Sequence, residues 1–293
     1  MSRTVLPLLF LMFALASAAQ TESQFTARYG YPDTEQFVVR PGITMMASYT
    51  EDRTTCEMLI EPKHSIQRTD DKAQSMATGT VSEIIDELIP ESERGILLNR
   101  GIESMGASEV QVATYQNVTI SRYFVRYLPA NHDEKSTMIV RKDWLCRSAM
   151  APEKYVPAIK LNATDLHSRY GDPDVQRFVV RPGITLMVAY GTDQAACQMV
   201  VEPTRSIIPR DEPAKYVRPE IVTEIIDEVL LDADRGKLLL RVVTKSGCND
   251  HEIINYENVT VSRFRHNCSL PNPEIEGAAN VSRKSPSCGN GGN

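Results

Sequence analysis

The sequence predicts an α+β protein built from two tandem copies of one helix-plus-antiparallel-sheet domain. Three observations predict it: a repeat at a fixed offset of 141 residues, period-two apolar alternation inside each copy, and one strongly amphipathic helix per copy. Arg28-Tyr29-Gly30 recurs as Arg169-Tyr170-Gly171, Glu83 to Glu87 as Glu224 to Glu228, and Asn117-Val118-Thr119 as Asn258 to Thr260. Between residues 28 and 66, 22 of 39 positions match their counterparts, so the copies share one ancestry. The expected organisation is a signal sequence over 1–19, repeat one over 20–127, a linker over 128–161, repeat two over 162–268 and a disordered tail over 269–293.

The first element is a signal sequence. Arg3 supplies the charged start, Val5 to Leu15 the apolar stretch, and Ala16-Ser17-Ala18 or Ser17-Ala18-Ala19 the small-residue cleavage site. The apolar run falls short of the roughly 20 residues that span a bilayer, so cleavage is expected, with no transmembrane segment remaining. The protein is then secreted or periplasmic.

Each repeat opens with a short helix, because Phe25 and Tyr29, like Leu166 and Tyr170, lie four apart. Gly30 and Gly171 stop it, with Pro32 and Pro173 close behind. A strand segment over Phe37 to Arg40 and a break at Pro41-Gly42 lead into a hairpin. Ile43, Met45, Ala47 and Tyr49 share one face of its first strand, and Cys56, Met58 and Ile60 one face of its second. That alternation predicts a half-buried sheet. The main helix follows, with Val81, Ile84, Ile85 and Leu88 at i, i+3, i+4 and i+7, repeated by Val222, Ile225, Ile226 and Val229. Arg94-Gly95 and Arg235-Gly236 end this region. Two strands close each copy, over Ile96 to Glu103 and Val110 to Tyr123, then Lys237 to Lys245 and Glu252 to Phe264.

Composition narrows the function classes. Apolar residues make up 42% and charged residues 24%, as in ordinary globular domains, and the formal charge is -6. An acidic chain without basic clusters argues against nucleic acid. Duplication filters site residues further, since a site used by both copies survives in both. None of His64, His132, His167, His251 and His266 has a histidine counterpart, which removes a shared histidine base or nucleophile. Neither a zinc-type cysteine spacing nor a cofactor motif is present, so no metal or cofactor is expected.

The duplicated charges are Arg28/Arg169, Arg40/Arg181, Glu61/Glu202, Glu83/Glu224, Asp86/Asp227, Glu87/Glu228, Arg94/Arg235 and Arg122/Arg263. Arg40, Glu61, Arg181 and Glu202 flank the hairpins, and they pair either with a ligand or with each other. An arginine fork suits a carboxylate or phosphate. The second duplicated polar cluster is Tyr115 to Thr119 and Tyr256 to Thr260. Its Asn117 and Asn258 are N-x-T acceptors, glycosylated only in a eukaryotic host.

In an oxidising compartment, Cys56, Cys146, Cys197, Cys248, Cys268 and Cys288 are disulfide candidates. Ala107 and Tyr127 stand where Cys248 and Cys268 would repeat, so the copies are not expected to share one complete bridge plan. Cys197 with Cys248 or Cys268 is the first expected pairing and Cys56 with Cys146 the second. That leaves Cys288 for the remaining thiol or another chain.

The RYG-x-P helix end followed by the hairpin ITMMASY to CEMLIEP resembles, in architecture, the tandem domains of β-lactamase inhibitor proteins and the single domain of small outer-membrane assembly lipoproteins. RPGIT, EIIDE and YxNVT are similar to motifs of exported, acidobacteria-like tandem-repeat proteins, a likeness that implies export and no activity. The expected function is an exported, non-enzymatic protein that binds a protein or small ligand. The alternatives are a secreted hydrolase using Glu61/Glu202 or Asp86/Asp227, and an envelope structural protein.

Overall fold

A computed structural model describes residues 20–64, 75–128, 131–141, 161–205, 207, 217–266, 275–285 and 288. The expected signal sequence and residues 142–160 lie outside the described residues. Repeat one runs α1 (Glu22–Tyr29), β1 (Thr34–Arg40), β2 (Ile43–Tyr49), β3 (Thr55–Pro62), α2 (Thr78–Leu88), α3 (Glu91–Arg94), β4 (Leu97–Met105), β5 (Ser108–Tyr115), β6 (Val118–Leu128) and β7 (Asn131–Arg141). Repeat two runs α4 (Ala163–Tyr170), β8 (Val175–Arg181), β9 (Ile184–Tyr190), β10 (Ala196–Pro203), α5 (Pro219–Val229), α6 (Asp232–Arg235), β11 (Leu238–Ser246), β12 (Asn249–Tyr256), β13 (Val259–His266) and β14 (Ile275–Arg283).

The expected α+β class, with a separate sheet in each copy, is overturned. The fold is mainly β: one open 14-stranded antiparallel sheet passes through both repeats in the order β11-β12-β13-β14-β10-β9-β8-β1-β2-β3-β7-β6-β5-β4, with few helices. Two features account for the difference. First, β1 and β8 pair across the repeat boundary, Thr34 with Arg177, Glu35 with Gln176 and Gln36 with Val175. Glu35 and Gln176 are equivalent residues, so the joint is a pseudo-twofold axis within one chain. Second, each repeat gains a strand that the alternation did not reveal: β7 lies where the linker was expected, and β14 where the disordered tail was. Both insert in the middle of a half-sheet, β7 pairing with both β3 and β6, and β14 with both β10 and β13. Met58 pairs with Ile139 and Met199 with Val281, so the repeat continues here at an offset of 142.

The segments expected as single strands over Val110 to Tyr123 and Glu252 to Phe264 are hairpins. In repeat one the turn at Gln116 and Asn117 is held from below: the Gln116 and Asn117 amides donate to the Ile96 and Arg94 carbonyls, and Asn117 Nδ2 donates to the Glu93 carbonyl at 2.9 Å. Gly95 lets them approach, since its φ is +75° and a Cβ there would stand 2.8 Å from Gln116 Cβ. Gly236 repeats the arrangement beneath Glu257 and Asn258. The duplicated Arg-Gly and YxNVT motifs are thus two sides of one structural contact, and the Asn117 amide is used inside the fold.

Burial also exceeds expectation. All of β2 is buried, not one face of it, because Met46, Leu59 and Ile207 form a small apolar cluster on the side away from the helices. Beneath the helices lie the two main cores, and their membership crosses the repeats. Core one joins Phe37, Met45, Ile60, Ile84 and Leu88 to Ala163 and Leu166 of repeat two and to Leu161 just before it. Core two joins Phe178, Leu186, Val201, Ile225 and Val229 to Phe25 of repeat one. Each opening helix therefore seats on the other copy's sheet. The residues before it follow: Thr21 bridges Ala195 and, equivalently, Asn162 bridges Thr54. An eight-residue helix is too short to be stable alone, so this packing supplies its stability.

Candidate functional site

Three of the eight duplicated charge pairs, Arg28/Arg169, Arg40/Arg181 and Glu87/Glu228, fasten the exchanged helices. Arg40 meets Glu87 at 2.7 Å, not Glu61; Tyr170 donates to Glu87 at 2.9 Å, and Arg169 donates to the Glu87 carbonyl at 2.7 Å. The mirror set is Arg181 with Glu228 at 2.7 Å, Tyr29 donating to Glu228 at 2.9 Å, and Arg28 donating to its carbonyl. Each set joins an arginine and glutamate of one repeat to the helix end of the other. The Arg40 hydrogen bond holds the Glu87 carboxyl below the usual range. Burial opposes the same effect at Glu228, where the Arg181 and Tyr29 bonds prevail. Burial and the Glu228 bond push the Tyr29 hydroxyl up to about 12.

A polar cluster sits at the pseudo-twofold axis. Glu35, 1% exposed, accepts from His167 Nε2 at 3.1 Å, Arg53 at 3.2 Å and Gln176 at 3.1 Å. Gln176 also donates to Glu22 at 2.7 Å and accepts from Tyr190 at 3.0 Å. Burial opposes ionisation of Glu35, but the His167 and Arg53 contacts outweigh it and its carboxyl lies below the usual range. The Glu35 bond raises His167 in turn. The cluster is asymmetric, because Thr26 and Gln194 stand where His167 and Arg53 would repeat.

The four sequence-predicted binding residues do not converge. Arg40 and Arg181 belong to the fastenings, Glu61 pairs with His64 at 2.9 Å, and the Glu202 carbonyl accepts from Thr185. The Arg40–Glu61 and Arg181–Glu202 pairings fail because β2 or β9 lies between the two strands and each glutamate alternates with a core residue, Ile60 or Val201, onto the face away from the helices, while α2 and α5 bring Glu87 and Glu228 to the arginines. The other hydrolase candidates, Asp86 and Asp227, are 67% and 56% exposed and pair with Arg94 and Arg235 of the same repeat.

Among the cysteines, Cys197 bonds to Cys288, replacing the expected Cys197 pairing with Cys248 or Cys268. The cause is β14, which pairs Ser282 with Gln198 and returns the chain to the start of β10. Cys56 and Cys248 are also disulfide-bonded, while Cys146 and Cys268 lie outside the described residues.

Two surface features stand out. The outermost strands, β4 and β11, each leave one backbone edge unpaired within the sheet. All nine residues of β11 are exposed, including Leu238, Leu239, Leu240, Val242 and Val243. On β4, Leu97, Leu98 and Ile102 are exposed likewise. Second, a pocket of about 150 Å³ opens between α2 and the β4–β6 wing of repeat one, with Ile85, Ala113, Tyr115 and Ile120 among its walls and Arg94, Arg100 and Arg122 around them. Arg122 is held by Glu134 and Arg94 by Asp86, whereas Arg100 has no partner among the described residues.

Neither a scan of family models nor a search of curated proteins returns a match for the chain. Reasoning from duplication missed the pocket because it favoured residues that both copies keep. The readable signal was the reverse: Ala113 and Gln111 stand where repeat two has Ile254 and Glu252.

Proposed function

We propose that this is an exported, non-enzymatic interaction protein that takes up an extended strand of another protein along the outer edges of its sheet, β11 and β4. The observation that carries the reading is β11, a nine-residue edge strand with every position exposed and five large apolar side chains. Natural proteins shorten, charge or cover such edges, because unpaired amides and carbonyls recruit another strand. Backbone hydrogen bonds would hold the incoming strand, and the leucines and valines would select apolar residues at alternate positions. Export is supported by the pattern of residues 1–19 and by the Cys197–Cys288 bond.

A photo-crosslinking residue at Val243, with a control at exposed Glu224 on α5, tests this in the exporting cell. Adducts to another protein at Val243, absent at Glu224 and lost on Val242→Pro, are expected. Equal labelling at both positions, or adducts only between copies of this chain, would overturn the reading.

A further inference from the structure

Comparison of the two repeats at the wing pocket shows two substitutions that act in the same direction. In repeat two, Arg241 donates to Glu252 at 2.6 Å, and Arg265 joins the same carboxylate at 3.2 Å. In repeat one the equivalents are Arg100, Gln111 and Phe124, and Gln111 turns away to donate to Glu109 at 2.8 Å. The carboxylate that neutralises the wing arginine in one copy is missing from the other. The second change lies on the neighbouring strand. Arg241 stands opposite Ile254, which packs against core two, and Arg100 stands opposite Ala113. Replacing isoleucine by alanine removes three carbons from the wall, at the place where the pocket opens.

We propose that this pocket of repeat one binds a small organic carboxylate, with Arg100 gripping the carboxylate and Ile85, Ala113, Tyr115 and Ile120 enclosing the apolar body. The charge follows from the side chains present. Arg94 and Arg122 are neutralised by Asp86 and Glu134, leaving Arg100 as the cation without a described counter-ion, so the pocket favours a single negative charge. A guanidinium fork matches the two oxygens of a carboxylate. The size follows from the volume, since a cavity near 150 Å³ accommodates a benzene ring. Benzoate and short branched-chain acids are therefore the probes of choice. In repeat two, Glu252 occupies the role of the ligand's carboxylate and Ile254 that of its body, so that copy serves as the closed form of the same site.

The test uses the full exported chain and methyl NMR, titrating benzoate and, as the uncharged counterpart, benzamide. Benzoate is expected to shift the Ile85 and Ile120 methyls with a millimolar dissociation constant, and benzamide to bind about tenfold or more weakly. Ala113→Ile installs the residue that repeat two tolerates and is expected to abolish binding by filling the space. Gln111→Glu supplies the missing carboxylate without filling it, and is expected to weaken benzoate while leaving benzamide unchanged. The proposal is overturned if benzoate does not shift these methyls, if benzamide binds as well as benzoate, or if both variants bind benzoate like the parent.

Discussion

Phe25→Ala tests the exchange of helices, because the side chain belongs to repeat one while Phe178 and Tyr190, which it packs against, belong to repeat two. Phe25 is 2% exposed, with its ring 5.8 Å from Phe178, 6.5 Å from Tyr29 and 6.4 Å from Tyr190. Truncating a buried phenylalanine costs about 3–5 kcal/mol through lost burial and the cavity left behind. That magnitude alone does not identify which repeat is affected, so the decisive measurement is a double-mutant cycle followed by urea unfolding. Phe25→Ala combined with Phe178→Ala should show a coupling of about 0.5–1.5 kcal/mol, the usual size for a stacked aromatic pair. Combined with Phe37→Ala, the equivalent ring in the other core, it should be additive within about 0.5 kcal/mol. Leu166→Ala is the mirror case and should couple to Phe37→Ala. Coupling of Phe25 to Phe37 but not to Phe178 would refute the exchange.

Three further outcomes follow from the geometry. His167, raised by Glu35, contributes stability that is complete below its unfolded value near 6.5 and is lost as pH rises through its higher folded value. Urea midpoints should thus fall between pH 6 and pH 9 by an amount that His167→Gln removes, while the Glu35 contribution, from a lowered carboxyl, is lost only on acidification. Non-reducing mass mapping should return Cys197–Cys288, and also Cys56–Cys146, because the offset of 142 makes Cys146 the counterpart of Cys288; Cys197→Ser should cost about 2–5 kcal/mol in thermal unfolding. Gly95→Ala should destabilise by more than the roughly 1–3 kcal/mol of backbone strain expected at Gly30, since both glycines have positive φ but only at Gly95 would a Cβ strike a neighbour. Paired denaturation curves of the two variants measure the difference.

Local pattern was a good guide where an element's neighbours in sequence are also its neighbours in space. The amphipathic spacing of Val81, Ile84, Ile85 and Leu88 gave α2 its buried face, and the alternation from Ile43 to Ile60 gave the β2–β3 hairpin. It failed at β14, where Ile-Glu-Gly-Ala-Ala-Asn-Val-Ser-Arg contains small and polar residues that fit a crowded central strand without advertising one. At the duplicated charges it left a ligand site and internal pairing equally open. Retention in both copies follows from two symmetric fastenings that each need Arg, Glu and Tyr.

The sequence alone determined that one unit is used twice and which residues of its main helix and hairpin are apolar. Tertiary structure decided the fold class, the crossing of the helices and the disulfide partner of Cys197. The physical reason is symmetry. An apolar helix face, a strand edge or an Arg–Glu set reads the same whether it meets its own repeat or the other, and only the pairing of β1 with β8 at the pseudo-twofold axis brings the other within reach.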